Sequence, residues 1–584
     1  MQHQRLARAI GSTIALLALA STSHAVILRV DTNVVGGAGT GEDWPNAIPD
    51  LQSALDLAAV LPGADDIWVA DGVYHPGALP TSTYSVSSDT RVFGGFTGFG
   101  EQEETLLEQR NVFLNESILS GDLNGDPCDP TTDAHHVITV PSGEGQIRID
   151  GVIIEFGNAS GGAPEPRGGA LHVEQPDSLN LVNCTLRNNL GGFGGGAIYL
   201  GSPTGGGGGE GDGIVQIYNC TFENNAVLNA DGIGGAIQAA FNNVLTVVNS
   251  VFYSNIANTS EVAPPGRGGA IFTVSSIDLF NCTFANNSTD PAGQGGAVFI
   301  DGPGGAGGTL LAKNCIFWGN TSSCGTLDCS ADIWWAQFPS ALSITSSTII
   351  AVLPIVWCTG KENAPGNPPG GFDPTACGNI QLDPVFADGV RLTGGSPAID
   401  SGDPDPLAIP QDPLNVDDDP PPAPPEPTPD RDLGTRILTV VDMGAFEFGN
   451  MSTACPADVD GDNEVGFTDL IAVLAAWGTC DCTIACPEDI DGDGDVGFLD
   501  LVSVLSTWGP CPGSSSDPGP TFDEMLAGAG LTPSDWEVFE DCLQNGTEAQ
   551  QKNCICWLEH YLIECTPLCS QPPNCPDGDP LAKH

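Results

Sequence analysis

Between residues 161 and 320 the apolar positions fall in short alternating runs, such as Leu179-Asn-Leu181-Val and Ile214-Val-Gln-Ile217, divided by glycine- and asparagine-rich turns. Alternation at period two is the pattern of a half-buried strand. The runs recur. A Gly-Gly-Ala-aliphatic motif begins at Gly168, Gly195, Gly234, Gly268 and Gly295. A second motif, Asn-Cys-Thr-Phe-x-Asn-Asn or close to it, begins at Asn183, Asn219, Asn249, Asn281 and Asn314, at steps of 36, 30, 32 and 33 residues. Short strands repeating every thirty or so residues are the signature of a β-solenoid. One coil cannot bury its apolar face alone, so coils stack, and stacking superposes equivalent residues. Phe222, Phe252, Phe284 and Phe317 then form an inward aromatic column. Cys184, Cys220, Cys282 and Cys315 form another, with Ser250 taking one place. Asn189, Asn225, Asn255, Asn287 and Asn320 form an amide ladder at a bend. The glycine pairs supply tight corners with positive φ. The fold class predicted is mainly β, a right-handed parallel β-helix.

The flanks carry other patterns. Residues 46–60 predict an amphipathic helix that covers the first coil, leading into a strand at Asp66–Ala70. Val92–Phe96, Ile118–Asp122 and Val152–Phe156 predict early coils, and the Asp/Pro-rich stretch 403–432 a solvated loop or an elaborated final turn. Two helical stripes follow, Leu470, Ile471, Val473, Leu474 and Leu501, Val502, Val504, Leu505. Residues 512–520 read as a linker, and residues 533–564 as helices studded with cysteine.

Composition narrows the class. Arg5 and Arg8 precede an apolar stretch from Ile10 to Ala20, and Ser23-His24-Ala25 fits a cleavage site, so residues 1–25 read as a secretory signal. That stretch is too short to span a bilayer, and no later segment is long and apolar enough, so no transmembrane segment is expected in the mature chain. A formal net charge of −58, from 16 Lys+Arg against 74 Asp+Glu, argues against nucleic acid and anionic membranes. Twenty cysteines in an exported chain imply disulfides, above all in the tail, where positions 542, 554, 556, 565, 569 and 575 stud a segment with little core of its own. A zinc site at Cys554-x-Cys556 with His560 is the rival reading there.

The candidate chemistry lies near residue 460. Asp458, Asp460, Asp462, Glu464 and Asp469 occupy positions 1, 3, 5, 7 and 12 of a twelve-residue loop, and Asp489, Asp491, Asp493, Asp495 and Asp500 repeat the pattern. Ca²⁺ is a hard cation that takes several oxygens, with a backbone carbonyl at position 7 among them. Unbalanced, these acids would repel, so binding and folding are expected to be coupled. Asp122-Leu-Asn124-Gly-Asp126 mimics such a loop but no helix follows, which favours a turn. The cysteine column could ligate metal, though its regularity favours core. Asn-Cys-Thr matches a glycosylation sequon at Asn183, Asn219 and Asn281, though its place in every coil favours a structural role. For catalysis, Arg148, Arg167, Arg187 and Arg267 are candidate bases, and no carboxylate pair stands out.

Each loop runs straight into a helix with none before it, position 12 is Asp, and the unit repeats after 31 residues. Over residues 455–511 this resembles a type I dockerin, which implies paired calcium sites and docking onto a cohesin-like protein. The paired Gly-Gly-Ala-Ile and Phe-x-x-Asn motifs resemble the repeats of chlamydial polymorphic outer membrane proteins, implying a surface-exposed adhesive β-helix. The order of the opening elements is similar to secreted β-helix proteins of the pectate-lyase-like superfamily. Asp383-Pro-Val-Phe386, Ser396-Pro-Ala-Ile-Asp400 and Asp442-Met-Gly-Ala-Phe-Glu447 resemble a terminal module called choice-of-anchor Q.

The expected organisation is a signal at 1–25, a β-helix with cap helix and terminal module at 26–450, a dockerin-like module at 451–511, a linker at 512–520 and a Cys-rich helical tail at 521–584. The expected location is extracellular or at the cell surface. Two functions compete. One is a noncatalytic, glycan-binding, adhesive or scaffolding surface protein, anchored by its calcium module to a cohesin-like protein or cell-surface component. The other is a polysaccharide lyase or glycoside hydrolase carried by a dockerin. The regular repeats favour the first.

Overall fold

The computed structural model describes residues 26–322 apart from short loop stretches, strand pieces within 333–349, and parts of 382–447 and 457–510. The expected signal, linker and Cys-rich tail lie outside the described residues.

The solenoid is built from four parallel sheets. Sheet I has ten strands, sheet II nine, sheet III six short ones, and sheet IV eight. One complete coil runs through Leu171–Glu174 on sheet IV, Pro176–Val182 on sheet I, Thr185–Arg187 on sheet II and Leu190–Gly191 on sheet III. The next coil lies in parallel register on it, with Leu179 against Val215, Leu186 against Phe222 and Leu171 against Ile198. The apolar halves of the alternating runs point inward and make one continuous core from Leu28 to Phe317.

The predicted columns form. Phe222, Phe252, Phe284 and Phe317 stack with centroids 4.7, 4.6 and 4.8 Å apart. That is the spacing between hydrogen-bonded strands, so backbone register alone sets the stack. Cys184, Cys220, Cys282 and Cys315 are buried free thiols. Each leans on the carbonyl two residues before it, and burial pushes the Cys220 and Cys282 thiols up from their ordinary range. Ser250 takes their place in its coil, donating to Val248 O at 2.8 Å. This is core, not a metal column.

The amide ladder is continuous. Asn225 Nδ2 donates to Asn255 Oδ1 at 3.0 Å, and Asn255 Nδ2 to Asn287 Oδ1 at 2.9 Å. Each Nδ2 also donates to a carbonyl of the preceding coil, Asn255 to Phe222 O and Asn287 to Phe252 O, both at 2.8 Å. Every buried amide in the bend is thereby answered, which is what allows a bend to be buried at all.

The corners divide their labour. The residue before each ladder Asn is left-handed: Asn188, Asn224, Ser254 and Asn286 have φ of 52 to 56°, and Gly319 has 67°. The Asn opening each Asn-Cys motif is also left-handed, φ 48 to 54°, at the corner from sheet I to sheet II. Asn tolerates this region better than other residues with a Cβ. These sequon asparagines are buried with their side-chain nitrogens in hydrogen bonds, as Asn183 and Asn219 illustrate, which leaves them no room for a glycan in the folded chain. In each glycine pair the first residue has positive φ, as at Gly234. The second is needed for close approach: a methyl at Gly235 would overlap the carbonyl of Gly269 in the next coil.

The cap helix, α1, is shorter than expected, Leu51–Ala58 rather than 46–60. Ile48 is taken up by strand pairing, accepting from Asp31 N and donating to Arg29 O at 3.0 and 2.8 Å. Pro49 disfavours helix at the residue before it, and Asp50 caps the first turn through Ser53 N at 2.8 Å. Leu51, Ala54 and Leu55 close the end of the core. Asp122 Oδ1 accepts the amides of Asn124, Gly125 and Asp126, so this loop is a turn closed on its own backbone.

The C-terminal motifs do not stack as a further coil. They run back along the flank. Leu414 O and Asn415 O accept from Arg148, Val416 O from Asn183 Nδ2 at 2.8 Å, and Asp430 O from Asn219 Nδ2 at 2.7 Å. Pro429 O accepts from Asn249 Nδ2. Ala445 N donates to Thr283 Oγ1 at 3.0 Å and Gly444 N to Asn314 O at 2.7 Å. The reason is local. The left-handed corner residues Asn183, Asn219 and Asn249 turn their amide nitrogens to a strap of backbone carbonyls, and Asn281 donates to Asn249 Oδ1. Val416 packs on Val182, Tyr218 and Val248, and Met443 on Ile316. The described parts of the Asp/Pro-rich stretch, 414–416 and 429–432, belong to this strap.

Asn255→Ala would take the acceptor from the backbone amide of Asn225 and the side-chain donor from Phe222 O inside the bend. We expect a loss of roughly 3 kcal/mol in urea unfolding followed by circular dichroism, whereas Asn224→Gly, one residue before a ladder Asn and exposed, should stay within about 0.5 kcal/mol.

Candidate functional site

Both acidic loops end in the same corner: two strand residues, a glycine, then a helix. Glu464–Val465 leads through Gly466 into α2, Phe467–Ala475, and Asp495–Val496 through Gly497 into α3, Phe498–Ser506. The two units interlock. Val465 pairs with Gly509, after α3, and Val496 with Gly478, after α2, both antiparallel. Leu470, Val473, Leu474, Leu501 and Val504 are buried.

The position-12 carboxylates close the loops. Asp469 Oδ2 accepts Gly466 N and Oδ1 accepts Val459 N, both at 2.7 Å. Asp500 does the same with Gly497 N at 2.6 Å and Ile490 N at 2.7 Å. One carboxylate thus ties positions 2 and 9 of its own loop together while capping a helix N-terminus, where negative charge is favoured.

Of the predicted ligands, Asp469 and Asp500 are brought to the loop–helix corner and are buried. Glu464 and Asp495 lie on the short strands. Asp458, Asp460, Asp462, Asp489, Asp491 and Asp493 lie outside the described residues. Among the described residues no group of three or more His, Cys, Asp or Glu is placed to hold a metal.

On the solenoid the candidate arginines are mostly engaged. Arg148 pairs with Asp150 at 2.5 Å and Arg187 with Glu155 at 2.8 Å. Arg267 lies 3.9 Å from Asp301. Arg110, which the sequence did not single out, meets the same Asp150 at 2.8 Å, both side chains fully buried. The strap covers the outer residues of sheet II: Arg431 Nε reaches Thr221 Oγ1 at 3.1 Å, and Ala445 and Phe446 pack on Val251.

The outer face of sheet IV differs. His172, Tyr199, Gln238, Phe272 and Phe299 follow one another in register, a file that no motif announced. The rings of His136, His172 and Tyr199 follow one another, tilted, with centroids 4.8 and 5.2 Å apart. Arg167 lies 5.3 Å over Tyr199, and Arg267 5.4 Å over Phe272. His136 Nδ1 meets Gly168 O at 2.8 Å, and burial holds this imidazole down at about 4.

Among the described residues no helix is long and apolar enough to cross a membrane. No protein-family model, no curated protein and no solved structure matches the chain.

Asp469→Ala or Asp500→Ala removes the acceptor for two amides of its loop. Amide exchange at Val459 and Gly466, or at Ile490 and Gly497, should accelerate at least tenfold even without calcium, with Asn substitution intermediate. His136 gives a pH dependence. Its folded value of about 4 lies below the unfolded 6.5, so between the two the unfolded chain binds more protons. Its contribution is therefore intact above pH 6.5 and is lost as pH falls toward 4. His136→Phe should flatten the fall in urea midpoint across that window.

Proposed function

We propose that the chain is a secreted, noncatalytic surface protein that binds glycans through a β-helix of the usual right hand and is attached through a calcium-loaded module. The observation that carries the noncatalytic reading is the engagement of Arg148 and Arg187, two of the four candidate bases. Arg148 and Arg187 are tied to carboxylates of the same or the neighbouring coil, and Arg148 also holds the strap. A lyase base must be free to take a proton from substrate. The strap along sheet II also removes one face from contact with a long polymer. The right hand is the one parallel β-crossovers adopt almost without exception.

The calcium reading rests on the donor set. Loop acids at positions 1, 3 and 5, the position-7 carbonyl, and an aspartate at position 12 fit a hard cation. The interlocked arrangement of α2 and α3 suits a module whose two sites fold together. The resemblance to type I dockerins suggests a cohesin-like protein as docking partner, and that to polymorphic outer membrane proteins an adhesive role. The resemblance to choice-of-anchor Q ends suggests that the strap motifs mark the junction between solenoid and anchor.

Two measurements test this. Calorimetric titration of the full chain with calcium should reveal two sites, one lost in Asp458→Ala/Asp460→Ala and the other in Asp489→Ala/Asp491→Ala; no heat at millimolar calcium sinks the metal reading. Incubation with plant, algal and bacterial polysaccharides should leave their size unchanged by mass spectrometry while some are retained on the protein. Shortened products make the protein an enzyme, and unsaturated ends make it a lyase.

A further inference from the structure

We propose that the outer face of sheet IV, at the coil of Phe193 and Tyr199, holds a subsite for an acidic sugar residue of a polysaccharide; this rests on the glycan-binding reading above. Beside sheet IV runs a ladder of single bridges, Arg167 to Gly194 to Ile233 to Arg267 to Gln294. Two of its five members, Arg167 and Arg267, lay a guanidinium over the rings of the sheet. Gly194 carries no side chain, and the gap is used: a methyl there would overlap Oε1 of Gln238, which comes from the next coil.

Two polar groups at this gap are unanswered. Gln238 is 6% exposed, and its buried Oε1 accepts no hydrogen bond. The Nε of Arg167 is also buried without an acceptor. Its guanidinium lies over the Tyr199 ring, an arrangement that offsets its charge in part and gives Nε no acceptor. Arg91, Arg110, Arg148, Arg187, Arg267 and Arg391 each face an Asp or Glu. Phe193, next to the gap, is 46% exposed.

The complement of this set is specific. Gln238 Oε1 needs a donor, which a hydroxyl supplies. Arg167 needs an acceptor, best a carboxylate or sulfate held by two N–H groups. Phe193 needs an apolar face, which the C–H side of a sugar ring offers. A uronic or sulfated sugar carries all three. Three coils on, about 14 Å away at one interstrand spacing per coil, Arg267 again lies over rings, those of Phe272 and Phe299. That repeat suits a polymer lying along the solenoid better than a single small anion.

The net charge sharpens the test. At −58 the chain as a whole repels polyanions, so retention of one reports a local site. The full chain is run by affinity electrophoresis through gels containing dextran, dextran sulfate or polygalacturonate. Retardation is expected in at least one polyanion and not in dextran. Dextran sulfate alone would identify the ligand group as sulfate, and polygalacturonate alone as carboxylate. Arg167→Ala and Phe193→Ala should each weaken it at least tenfold. Arg91→Ala, on sheet I, should not, and Phe193→Ala, at an exposed position, should melt like the parent. Retention of dextran alone, or of a polyanion equally by the parent and Arg167→Ala, overturns the subsite and leaves the glycan-binding reading standing. Retention of none overturns the subsite, and the wider polysaccharide panel then decides the reading.

Discussion

Parallel hydrogen bonding from coil to coil, in unbroken register, is the constraint on which the rest of this molecule depends. It sets one spacing, near 4.7 Å, for every residue column. Flat aromatic rings tolerate that spacing, as do thiols and amides that hand a hydrogen bond to the next copy. Charges do not, unless paired across coils as Arg187 is with Glu155. The repeat therefore selects Phe, Cys, Ser and Asn for its interior lines and relegates the many acids of this chain to loops and ends.

The corners turn this regularity into a surface. A four-sided coil needs abrupt bends, and two of them are left-handed residues, chiefly Asn. On the inside of one bend the amide ladder satisfies itself. At the corner from sheet I to sheet II the amides face outward, and the chain returns on itself to answer them. The strap is thus a consequence of the corner chemistry, and it lies along sheet II, away from the file on sheet IV.

The proposed function follows the same division. The solenoid supplies rigid, periodic positions, which suits recognition of a periodic polymer more than the asymmetric geometry of a catalytic pair. The two acidic loops form a separate unit, interlocked through strand pairs and two helices. There the position-12 aspartates hold their loops closed through backbone amides. A cation would add to that closure without replacing it.

Much of this was legible in the residues. Period, alternation and repeated motifs determine a stacked solenoid, its Phe, Cys and Asn columns and its glycine corners, because each is a local rule repeated until only one register satisfies it. The loop-helix units were legible for the same reason: the stripes Leu470, Ile471, Val473, Leu474 and Leu501, Val502, Val504, Leu505 repeat one helical face directly after each acidic loop. The helix over 46–60 was overestimated, because Ile48 pairs with a strand that local periodicity cannot see. The strap was not legible, since its contacts join residues some 160 to 270 positions apart. Nor was the file on sheet IV. Its members, His172, Tyr199, Gln238 and Phe272, share no motif and are united only by register. The sequence by itself determined what repeats; tertiary structure alone decided what meets, because a corner amide or an unpaired guanidinium takes its partner from whatever chain the fold lays beside it.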